Sequence, residues 1–126
     1  MPLVRIDLPA GKPADFRRTV GDVIYDAMRA TINVPENDRF QIFTEHAPGT
    51  LVADPTYMGI DRSADCLIIQ VTLNAGRTTA MKKVFYKAIA DGLHERAGVR
   101  REDVFINLVE VSKENWSFGN GEAQYA

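Results

Sequence analysis

The chain is expected to fold as an α+β protein: two tandem β-α-β units make a four-stranded mixed sheet with two helices on one face, and a C-terminal hairpin follows. Three observations lead there. Shifted by 65 residues against itself, the sequence matches without a gap. Each copy opens on an apolar run rich in β-branched residues, and each run is followed by a longer stretch with apolar residues at helical spacing. The shift places Leu8 on Leu73, Gly11 on Gly76, Ile24 on Ile89, Asp38 on Asp103, Phe40 on Phe105 and Glu45 on Glu110. There are 9 identities over the 43 positions from Leu3 to Glu45, where unrelated segments of average composition would share roughly 2 or 3.

The runs Leu3–Leu8 and Leu67–Leu73 read as strands. The first alternates apolar and polar residues, so one of its faces is expected to be more exposed; the second is more continuously apolar and is expected to lie deeper. Both end in Ala-Gly, a turn signal, followed by Pro13 in one copy and Thr78 in the other, both of which favour a helix start. Phe16, Val20, Val23, Ile24 and Ala27 then recur at helical spacing, as do Met81, Val84, Phe85, Ala88, Ile89 and Leu93, which predicts two amphipathic helices of about five turns. Val34-Pro35 and Gly98-Val99 stop them, and second strands are expected over 39–44 and 104–111. A β-α-β crossover is right-handed and yields a parallel strand pair. Residues 47–65 carry Pro48-Gly49 and Asp54-Pro55 and read as a connecting loop. The tail from Lys113, with Trp116, Phe118, Gly119, Gly121 and Tyr125, reads as a short hairpin.

At 126 residues the chain has the size of one domain, 1–126, with its two repeats at about 3–46 and 67–111. Its hydrophobic share of 45% and charged share of 25% are those of an ordinary globular protein. A net charge of -2 with scattered Lys and Arg offers no footprint for nucleic acid. No apolar run approaches the roughly 20 residues of a membrane span. His46, His94 and the single Cys66 have no metal-site spacing, so neither a metal nor a disulfide is expected. A reducing, cytoplasmic setting fits that cysteine usage. Helices on one face leave the other face of the sheet in need of cover, and symmetric self-association is the simplest source.

Residues shared by the two copies are explained by the shared fold, so function is sought where the copies differ. Position 2 is proline where the second copy has Leu67. If Met1 is removed, Pro2 becomes a secondary amine at the head of a strand. A free α-amino group titrates at about 8, close enough to neutrality to serve as a base or a positioned acid. The plainer alternative is that Met-Pro-Leu is merely a common way to begin a chain.

The segments Pro2–Asp7, Val34–Gln41, Asp61-Arg62-Ser63, Asn74–Thr78 and Asn115–Gly121 together resemble the tautomerase superfamily, and within it the malonate semialdehyde decarboxylases. The resemblance spans essentially the whole chain and implies a homotrimer with the N-terminal proline as catalytic group. It implies that Pro2 is the catalytic amine, that Asp38 is the acidic residue beside it, and that Arg77 is the arginine holding a substrate carboxylate. It also makes Trp116 and Phe118 the aromatic pocket wall. Each has a plainer reading. Asp38 can be a turn residue, since Asp103 holds the same place in the other copy; Lys12 matches Arg77; Trp116 and Phe118 can be core.

One branch of the family carries Arg-x-Arg before the second helix; here Asn74-Ala75-Gly76-Arg77 retains only the last arginine. Arg39, His46 and Arg62 are assigned structural roles, and Cys66 that of a buried small hydrophobe. The implied activity is cofactor-independent decarboxylation of a small 3-oxo acid, malonate semialdehyde, to acetaldehyde and carbon dioxide. Alternatives are keto-enol tautomerisation, hydration or dehalogenation of a 3-substituted acrylate, and a non-enzymatic trimeric binding protein should Met1 be retained.

Overall fold

A computed structural model describes residues 2–126; Met1, and with it the expectation of its removal, lies outside the described residues. Strand β1 spans Leu3–Pro9, helix α1 Ala14–Thr31, β2 Phe40–His46, β3 Leu67–Asn74, helix α2 Thr79–Ala97 and β4 Val104–Val111. The strands form one sheet in the order β2-β1-β3-β4. β1 pairs parallel with β2, β3 pairs parallel with β4, and the two units meet antiparallel through β1 and β3. The expected two helices and four-stranded mixed sheet are what the chain forms.

The antiparallel register sets Arg5 opposite Gln70, and these two are each other's counterparts under the 65-residue shift. A pseudo-twofold axis therefore passes through that pair, and it relates local detail as well as strands. Ala10 donates its N–H to His46 O as Ala75 does to Val111 O. Arg17 pairs with Glu45 as Lys82 pairs with Glu110.

Both helices end alike. Val34 N–H reaches Met28 O and Val99 N–H reaches Leu93 O, a six-residue closure that requires a left-handed residue one position earlier. Asn33 fills that position at φ 59° and Gly98 at φ 69°. At the other end of α2, Thr78 Oγ1 accepts from Met81 N–H as an N-cap.

One face of the sheet is dry. Val4, Ile6 and Leu8 of β1 and Leu67, Ile69, Val71 and Leu73 of β3 are buried beneath Val20, Ile24 and Met28 of α1 and Phe85, Ile89 and Leu93 of α2. The opposite face carries no helix. It exposes Phe40, Ile42, Phe105 and Val109, all between 38% and 48% accessible. Val84, expected on the buried stripe of its helix, is 57% exposed instead.

The tail corrects one expectation: the C-terminal hairpin does not form. After a 3-10 turn at Lys113–Asn115 no strand follows. Gly119, Asn120 and Gly121 all take positive φ, which coils the chain rather than extending it. Phe118 N–H is taken by the Gln124 side chain, whose own amide donates to Gly119 O, so no facing strand is needed.

Candidate active site

The topology brings four chain segments to one end of the sheet. β1 and β2 begin there; β3 and β4, running the other way, end there. Pro2 stands just before β1, Asp38 just before β2, Arg77 just after β3, and Trp116 and Phe118 follow β4. Residues scattered from 2 to 118 thus converge because two parallel pairs are joined antiparallel.

Pro2, Trp116 and Phe118 line one cavity of about 190 Å³, together with Leu3, Phe40 and Ser117. Trp116 and Phe118 stack with ring centroids 5.5 Å apart, and Tyr125 meets Phe118 edge-on at 5.0 Å. The two wall aromatics are only half-buried. They therefore present rings to the cavity instead of filling the core, which contradicts the plainer reading of them.

Asp38 and Arg77 stand outside that lining, at the same end of the sheet. Arg77 Nε and Nη2 donate to Ile32 O at 3.3 and 3.0 Å, and Nη1 donates to Asn74 O at 3.1 Å. Ile32 is the C-cap of α1. The guanidinium therefore sits at the negative end of one helix dipole, which offsets its unfavourable place just ahead of α2. Three of its five N–H groups are taken by carbonyls. Asp38 is only 6% exposed. Burial pushes its carboxyl above the usual carboxylate range, while nearby positive charge, that of Arg77 included, pulls the other way.

The opposite end of the sheet shows what the fold alone requires. Asp103, the counterpart of Asp38, accepts from Ser63 N–H at 2.7 Å and from Ser63 Oγ at 2.6 Å, and stands 3.7 Å from Arg100. Lys12, the counterpart of Arg77, lies 3.4 Å from Asp65. The chain entering β3 supplies both Ser63 and Asp65, so there the counterparts of Asp38 and Arg77 are engaged by the connecting segment. A second cavity of about 460 Å³ lies there. Among its lining residues are Leu51 and Val52, in the places of Trp116 and Ser117.

Other residues singled out in the sequence have local partners. Arg62 donates to Asp54 O and Tyr57 O within its loop, and Arg39 pairs with Asp22 at 2.8 Å while lying over the Tyr25 ring. His46 pairs with Asp7 at 2.7 Å. Cys66 is buried, and burial pushes its thiol pKa up, so it stays a protonated small hydrophobe. Among the described residues no group of three or more His, Cys, Asp or Glu is placed to hold a metal, and no helix is long and apolar enough to cross a membrane.

A family model for tautomerase enzymes matches residues 38–119, and a second matches residues 2–60. The chain belongs to the tautomerase superfamily. The "Probable tautomerase YusQ" of Bacillus subtilis (strain 168) is 40% identical over 124 residues, covering 98% of both chains. The crystal structure of FG41 malonate semialdehyde decarboxylase inhibited by 3-bromopropiolate is 40% identical with a TM-score of 0.92, over 98% of this chain and 93% of that one. A second malonate semialdehyde decarboxylase, described for its decarboxylase and hydratase activities, is 33% identical with a TM-score of 0.91, over 98% of this chain and 95% of that one. Superfamily membership accounts for the duplicated β-α-β architecture.

Sequence reasoning missed Phe40, Tyr125 and Asn74 as parts of this end of the sheet. Asn74 had a signal available: its counterpart is Pro9, so it lies where the duplication is broken.

Proposed function

We propose that this superfamily member is a cofactor-independent decarboxylase of small 3-oxo acids, converting malonate semialdehyde to acetaldehyde and carbon dioxide. The observation that carries this reading is the one-sided convergence of Pro2, an aromatic wall, a buried carboxyl and a half-committed arginine. The 40% identity to a malonate semialdehyde decarboxylase across the chain supports it.

Removal of Met1 frees the Pro2 nitrogen. The two N–H groups that Arg77 does not spend on carbonyls hold the substrate carboxylate in a planar fork. As the bond from that carboxylate to the α-carbon breaks, its electron pair moves into an enolate. Protonated Pro2 donates a hydrogen bond to the developing oxyanion and then gives its proton to the carbon, and the amine regains a proton from solvent when the product leaves. Asp38 favours the protonated amine by its charge. Trp116 and Phe118 exclude water and so favour loss of charge from the carboxylate. In the same reading the protein acts as a homotrimer whose helix-free sheet faces cover one another, in a cytoplasmic setting.

A tautomerase is the second reading, favoured by the curated relative described as a probable tautomerase; there neutral Pro2 acts as a base. The pH dependence of kcat separates the two. An acid loses rate as pH rises through its pKa, and a base loses rate as pH falls. The decarboxylase reading expects malonate semialdehyde turnover to fall on the alkaline side, with mass spectrometry showing Met1 absent. Retained Met1, which leaves Pro2 an amide without a basic lone pair, overturns both readings.

A further inference from the structure

We propose that Asn74 is a positioning residue that fixes the aromatic wall relative to Arg77; the proposal rests on the reading of this cavity as the reaction site. Asn74 holds both sides of the site at once. Its backbone carbonyl accepts from Arg77 Nη1 at 3.1 Å, and its side-chain Oδ1 accepts from the Trp116 indole N–H at 2.7 Å. An indole N–H only donates, so the amide oxygen must face it. One residue thereby sets the separation between the cation that takes a carboxylate and the ring that shields it. Phe118 is carried along by its stack on Trp116, and Tyr125 by its edge contact with Phe118.

The other half of the molecule argues that the fold does not need this contact. Pro9 occupies the counterpart place with no side-chain acceptor, and Leu51 stands where Trp116 stands, yet β1 ends there in the same backbone hydrogen bond as β3. A polar link present only at the Pro2 end belongs to what that end does.

The chain has a single tryptophan, so its indole N–H gives one NMR signal. Asn74→Ala leaves the carbonyl on Arg77 and removes only the acceptor for Trp116. The indole signal is expected to move upfield and its hydrogen exchange to speed up. The value of kcat/KM is expected to fall about tenfold, as for a misplaced binding wall. Trp116→Phe, which lacks the N–H, closes a double-mutant cycle. If Asn74 acts through that N–H, Asn74→Ala costs little further in the Trp116→Phe background.

An unmoved indole signal, an unchanged kcat/KM in Asn74→Ala, or a full additional loss in the double variant overturns the proposal. Wild-type turnover distinguishes this failure from failure of the functional reading: should the wild type process an enol acid and not malonate semialdehyde, the decarboxylase reading falls and the same cycle is read on the enol.

Discussion

Burial and charge pull Asp38 in opposite directions, and the outcome is open to test. Its carboxyl titrates above the unfolded value of 3.8, so the native state holds that proton longer than the unfolded chain does. The penalty for burying the charge is therefore absent below the unfolded pKa. It grows as pH rises through the folded pKa and is fully present above it. Asp38→Asn removes the penalty. Urea melts should show the variant gaining on the wild type between pH 3.5 and pH 7, while decarboxylation falls roughly 10- to 100-fold. A stability difference that does not change with pH contradicts this account of Asp38.

Pro2, Asp38, Arg77, Trp116 and Phe118 were all legible as single residues. Their grouping was not, because it depends on which strand ends share an edge of the sheet. Asn74 was marked only by the break in the duplication opposite Pro9, and that break does not reveal its two hydrogen bonds, to residues 3 and 42 positions away.

At the scale of elements, helix ends carry a clean prediction. Gly98 and Asn33 adopt the same left-handed conformation, and a Cβ added to Gly98 would meet nothing within 4 Å. The cost of Gly98→Ala is then purely conformational, about 1 kcal/mol. Asn33→Gly should be neutral or slightly stabilising, because asparagine tolerates that region only partly. Denaturant melts of both variants check this, and equal losses in the two would contradict it.

The packing of the helices is another constraint. A Cβ on Gly92 would lie 2.7 Å from Val23 Cγ1, so α1 and α2 approach through a gap that only glycine leaves. Gly92→Ala is expected to destabilise on the order of 1 kcal/mol despite alanine's better helix propensity, again read by melts. Periodicity made strands and helices legible to within two residues at most ends. The tail defeated it, since Gly119, Asn120 and Gly121 read equally as a hairpin turn or as the coil they form.

The whole molecule is organised by the pseudo-twofold through Arg5 and Gln70, and by the face that its two helices leave bare. On that face Phe40 and Ile42 of β2 are exposed at one edge and Phe105 and Val109 of β4 at the other, with Arg5 and Gln70 between them. Large apolar side chains left exposed at both edges of a sheet face suit an interface. Val109→Arg, on β4 and not itself among the residues lining the Pro2 cavity, should shift the protein in sedimentation from the mass of three 14.0 kDa chains toward one. Wild-type protein sedimenting as a single chain contradicts the trimer.

The two ends of the sheet related by this twofold differ in their side chains: Ser63 and Asp65 engage Asp103 and Lys12 at one, while Pro2, Trp116 and Phe118 gather at the other. The most direct test is therefore an NMR assay of the Met1-free protein with malonate semialdehyde and, side by side, with an enol acid, repeated on Pro2→Ala. The account predicts acetaldehyde from the wild type and at least about a hundredfold less from the folded variant. Equal acetaldehyde production by both would contradict it.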